Sequence, residues 1–195
     1  MTPRPRSRSV HPLRREAGFT LIEVLVAVLV LSLGVLGAAG MQAASLRANR
    51  EARAQEVGTR MAMELAELIR ANHVQARNTT ADTNPYLLDF SNTAPSTSST
   101  CFTAAGCSSR LDVATRDVTD WAQRAAPLLP GIRVKVCYDT DPFDSSGKPR
   151  WACDGSGDTI QVKIGWARAD LNRSTNSVDA ATAPAVVLPV TPRKA

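Results

Sequence analysis

Glu23 is the residue most out of place in this 195-residue sequence, because it is a lone carboxylate near the start of an otherwise apolar run from Phe19 to Met41. An ionisable group in a membrane span costs about 3 kcal/mol at the centre and less near an end, so its retention points to use. The run is long enough to cross ~30 Å of hydrocarbon at ~1.5 Å per helical residue. Three further sets of side chains have chemical potential: four cysteines (Cys101, Cys107, Cys137, Cys153), a cluster of aspartates (Asp139, Asp141, Asp144, Asp154, Asp158), and His73.

Catalysis finds little support in these sets. His11 lies in the basic N-terminal segment, so a histidine-based triad would have to use His73, and no serine or cysteine motif accompanies it. Its expected place near the end of a long helix suits the helix dipole or solvent instead. The aspartates are hard oxygen ligands of the kind calcium takes. The order Asp139-Thr-Asp-Pro-Phe-Asp-Ser-Ser-Gly does not follow an EF-hand, however, and solvated turn residues are the plainer reading. Zinc would need Cys-x-x-Cys-like spacing or histidine partners, and neither is present. No enzyme, cofactor or metal is expected.

Before the apolar run stand Arg4, Arg6, Arg8, Arg14 and Arg15 against only Glu16, which keeps this end cytoplasmic and exports the remainder. A secretory signal with Ala38, Ala39 and Ala43 near its cleavage site is the competing reading, opposed by Glu23 and by the length of the run. The order of features, a basic leader, Gly18, an aromatic Phe19, then Thr20-Leu-Ile-Glu23 and a long apolar stretch, resembles the type IV prepilin signature. That resemblance implies cleavage between Gly18 and Phe19 by a prepilin peptidase, N-methylation of Phe19, and pairing of Glu23 with the terminal amine of a neighbouring subunit. It also implies an inner-membrane protein whose head is periplasmic and which then enters a filament.

The leader accounts for most of the formal charge of +5, since its five arginines and one glutamate contribute +4. A DNA-binding surface is therefore not indicated. All four cysteines fall on the exported side, where an oxidising compartment favours disulfides. Three connectivities are possible, and sequential pairing of Cys101 with Cys107 and Cys137 with Cys153 is the simplest.

The elements that must position these groups follow from periodicity. The expected fold is α+β: a leader over 1–18, a membrane and assembly half-helix over 19–41, an amphipathic half-helix over 42–76, and a disulfide-bonded head over 77–195. Ala54, Val57, Met61, Leu65 and Leu68 recur at helical spacing, and no proline interrupts Phe19 to Ala76. Gly34, Gly37 and Gly40 permit either close helix packing or local stretching. Residues 78–110 read as an exposed connection from which Tyr86, Leu87, Leu88 and Phe90 dip into the core. A short helix is expected near 117–126, ended by Pro127. Ile132, Val134, Val136 and Tyr138 alternate as a strand, as do Ile160, Val162, Ile164 and Trp166, with residues 139–158 as the joining loop. Ala185–Val190, limited by Pro184 and Pro189, is a candidate edge strand.

A narrower resemblance lies in the head. Asp117-Val-Thr-Asp-Trp-Ala-Gln, Leu129-Pro-Gly, Val136-Cys-Tyr-Asp, Ala152-Cys-Asp-Gly-Ser-Gly and Val162-Lys-Ile-Gly-Trp, with the helix opening Glu23-Val-Leu-Val-Ala, resemble the PilV-type minor pilins. This implies a low-abundance subunit that joins other minor pilins to prime pilus assembly, near the tip and beside a tip adhesin. A minor pseudopilin of a type II secretion system, which shares the leader and long helix, is the alternative. The sequons at Asn78 and Asn172 are too common by chance to carry weight.

Overall fold

The computed structural model describes residues 18–96, 101, 103–104, 106–167 and 182–192. The leader arginines, the Asn172 sequon and most of the tail after Asp170 lie outside the described residues. The chain divides into two compact units, Met1–Arg47 and Ala48–Ala195.

Helix α1 spans Leu21–Ala71. Thr20 precedes it as the cap, its hydroxyl and its carbonyl oxygen both accepting from the Glu23 amide, at 3.4 and 3.1 Å. The expected helix through Ala76 is interrupted: Asn72 leaves helical geometry, and a short α2 follows over His73–Ala76. The cause is local. The Asn72 side chain donates to the Arg110 carbonyl oxygen at 2.9 Å, and asparagine readily trades helical geometry for such a bond.

Within the second unit α1 buries Gly58, Met61, Ala62, Leu65, Ala66 and Ile69, with Ala54, Val57 and Leu68 half-buried beside them. The apolar stripe at helical spacing thus becomes core. Helix α3 covers Arg110–Ala125 and starts seven residues earlier than the sequence suggests. Ser109 caps it by accepting from the Asp112 amide, and the carboxylate of Asp112 accepts from the Ser108 and Ser109 hydroxyls. A Ser-x-x-Asp start is a weaker signal than the Ser-x-x-Glu box, which is why this turn reads as loop.

The connection before α3 is also more ordered than expected. Asn84 is fully buried and donates to the carbonyl oxygens of Ala76 and Asn78, while its own side-chain oxygen accepts from the Tyr86 amide. Tyr86 is buried, and Asp89–Ser91 forms a three-residue strand β1. Strands β2 (Arg133–Tyr138), β3 (Ile160–Gly165) and β4 (Val186–Val190) complete an antiparallel sheet in the order β1-β2-β3-β4. Val134 faces Ile164, Val136 faces Val162 and Tyr138 faces Ile160, so the alternating apolar residues share the face turned to the helices. The protein is α+β, with a pilin-like architecture of one long N-terminal apolar helix and a small antiparallel sheet.

Candidate functional site

Every large apolar side chain from Phe19 to Met41 is at least 51% exposed. An apolar surface of this extent on a helix needs lipid or other helices around it, and the helix has the length and composition to cross a membrane. Cβ atoms built at Gly34, Gly37 and Gly40 would meet nothing within 4 Å among the described residues. The Gly18–Phe19 bond lies in exposed, non-helical backbone just before α1.

Glu23 sits in the first turn of α1 and shares a face with Phe19, Ala27 and Leu31. A carboxylate there complements the partial positive charge of the helix N-terminus. Among the described residues none ion-pairs with it. It is thus an acceptor held at a fixed place on an apolar surface.

The head cysteines join as Cys101–Cys107 and Cys137–Cys153. The first bond closes a small loop ahead of α3. The second straps residues 139–158 to the outer face of the sheet, and what lies under that strap was not visible in the sequence. Strand β3 is buried on both faces. On the outer side Lys163 is fully buried, with Nζ 2.5 Å from Asp139 Oδ2 and 2.6 Å from the Ala152 carbonyl oxygen. Arg133 stacks its guanidinium 4.5 Å from the centre of the Trp151 ring.

Four of the five loop aspartates have partners as follows. Asp139 holds Lys163, and Asp141 pairs with Arg150 at 2.9 Å. Asp144 accepts from the amides of Ser146 and Lys148, and Asp154 from the amides of Thr140 and Ser156 and the Thr140 hydroxyl. Those donors, Ser146 foremost for Asp144 and Thr140 foremost for Asp154, hold both carboxyls below the usual range. Carboxylates aimed at these donors and cations shape the turns of the loop. Cys137, Asp139 and Cys153 lie close together, but the sulfurs are bonded to each other and the carboxylate is held by lysine.

Two aromatic side chains tie the helices and sheet to the main chain of α1 and α2. Trp121 Nε1 donates to the Met61 carbonyl oxygen at 2.9 Å, and the Tyr138 hydroxyl donates to that of Ala76 at 2.8 Å. Arg124 bridges Glu64 of α1 and Asp120 of its own helix. Tyr86, desolvated by burial beside Asn72 and Asp117, has its phenol pushed up to about 12. These contacts build a rigid head, and none brings a nucleophile together with a base.

A family model for the prokaryotic N-terminal methylation motif matches residues 13–39, which include Gly18, Phe19 and Glu23. The chain carries a prepilin-type N-terminus. The motif supports a type IV pilin-like protein, pilin or pseudopilin, and implies processing by a prepilin peptidase and assembly with other pilins. It suggests a structural subunit rather than an enzyme, and with the apolar helix it fits inner-membrane anchoring. Comparison with curated proteins and with solved structures yields no match.

Proposed function

We propose that this protein is a minor pilin of a type IV pilus, similar to the PilV-type subunits, which helps prime the filament and stays near its tip with other minor pilins and an adhesin. The observation that carries the reading is Glu23, an acceptor with no ion-pair partner among the described residues, on an exposed apolar helix four residues beyond Phe19. Cleavage after Gly18 places a new amine on Phe19. In low dielectric an amine and a carboxylate attract far more strongly than in water, so each entering subunit is drawn into register by its neighbour's Glu23 or its own. The blocks around Trp121, Cys137 and Cys153 carry the narrower resemblance.

The test is Glu23→Ala in the otherwise intact chain. Cleavage and head folding stay normal, while co-purification with partner pilins and surface piliation fall. Full piliation by the variant would contradict the pairing role. Deletion of the gene separates the system: loss of pili with protein secretion intact fits a pilus subunit, and the reverse fits a type II pseudopilin.

A further inference from the structure

Among the described residues the segment 139–158 lies over Lys163 on the outer face of β3, with the Cys137–Cys153 bond joining the residues just before its start to its later part, and with Asp139 and Ala152 holding Lys163. Asp139 follows Cys137 by two residues, and Ala152 immediately precedes Cys153. Both grip the same ammonium. Gln161 Nε2 donates to the Asp139 carbonyl oxygen and Arg133 stacks on Trp151, so the segment and its junction supply further contacts to this face, while Lys135 beside them pairs with Asp89 of β1. Elsewhere its hydrogen bonds are largely internal: Asp144 to the Ser146 and Lys148 amides, Asp141 to Arg150, Thr140 to Asp154. A segment that satisfies itself and is fixed at its ends has the construction of a flap.

We propose that residues 139–158 form a redox-latched flap, closed over Lys163 by the Cys137–Cys153 bond and released when a dithiol reduces that bond. The exchange balances simply. One thiolate of the dithiol attacks a half-buried cystine sulfur to form a mixed disulfide, and the other cysteine leaves as a thiolate. The second thiol of the reagent then displaces the protein, so that two electrons pass to the cystine, both cysteines end as thiols after protonation, and the reagent ends as a cyclic disulfide. A cross-link spanning 16 residues restricts the open ensemble by a factor on the order of 100, which is the bias lost on reduction. The helix-facing side of the sheet has its own packing against α1 and α3 and is not held by this bond. The flap therefore opens without unfolding the head. Its physical consequence is that Lys163 becomes buried only after the chain has reached an oxidising compartment, and is uncovered again by a reducing one.

The experiment uses the full chain in detergent micelles with Cys101→Ser and Cys107→Ser, leaving Cys137–Cys153 as the only bond. An N-hydroxysuccinimide ester acylates amines before and after dithiothreitol, and peptide mass spectrometry follows Lys163 against the exposed Lys148 as an internal rate standard. The expected result is slow labelling of Lys163 in the oxidised protein and a rise on the order of 100-fold on reduction, reversed by oxidised glutathione, with far-ultraviolet circular dichroism unchanged. A Cys137→Ser, Cys153→Ser variant labels at the reduced rate without reagent. Protection that survives reduction, or labelling that rises only together with loss of the helical signal, overturns the proposal.

Discussion

Lys163 Nζ lies 2.5 Å from Asp139 Oδ2, and neither side chain has any solvent exposure. The pair sits on the face of β3 that alternation assigns to solvent, so its burial is created by the strap rather than by the strand. Breaking such a pair from one side leaves a charge stranded in a dry site.

Lys163→Met alone should therefore destabilise the head by about 3–5 kcal/mol, and so should Asp139→Leu alone. The double variant should recover most of that loss, since two apolar side chains leave no stranded charge. Chemical denaturation of the three variants in micelles checks this, and additive losses would refute it.

A steric relationship on the other face gives a second test. A Cβ at Gly58 would meet the Trp166 ring at 2.4 Å. Gly58→Ala gains up to ~1 kcal/mol of helix propensity but forces the indole to move, at roughly 1–3 kcal/mol. Net destabilisation is expected, and it should vanish in the Trp166→Leu background.

Disulfide removal should be unequal. The chain-entropy model gives ~3 kcal/mol for the 16-residue Cys137–Cys153 loop and ~2 kcal/mol for the 6-residue Cys101–Cys107 loop. The first also keeps Lys163 covered. Midpoints of thermal unfolding for the two Ser-Ser variants should rank accordingly, with Cys137–Cys153 the more damaging.

Acid should spare the loop until late. Asp154 is held low in the folded protein, chiefly by the Thr140 hydroxyl, so it binds its proton more weakly there than when unfolded. Its contribution is thus fully present above the unfolded value of about 3.9 and is lost as pH falls through the lower folded value. Carboxyl carbon shifts followed by nuclear magnetic resonance should show Asp154 titrating below the ordinary aspartate value of about 3.9. An ordinary midpoint for Asp154 would remove the argument.

Much of this architecture was legible because its signals are local. The apolar run, the stripe through Met61 and Leu65, and the alternation in β2 and β3 each bury or expose residues at a fixed period, and Pro184 and Pro189 confined β4 to an edge. What escaped depends on contacts distant in sequence. The break at Asn72 needs the Arg110 carbonyl, 38 residues away, and the burial of Lys163 needs a loop folded back across the sheet. Strand β1 is only three residues long and exists through pairing with β2. The prepilin-type motif was readable because it is contiguous, and it spans Gly18, Phe19 and Glu23. Under the proposed function the partners of Glu23 belong to other chains, and no periodicity in this one describes them.

The most direct measurement is the mass and N-terminal sequence of the protein recovered from membranes of cells that express a prepilin peptidase. The account predicts a chain beginning at Phe19, with a methyl group on its amine, and accumulation of the full precursor when Gly18 is replaced by a bulky residue. A chain that still begins at Met1, or one that begins near Gly40 as a secretory signal would leave it, contradicts it.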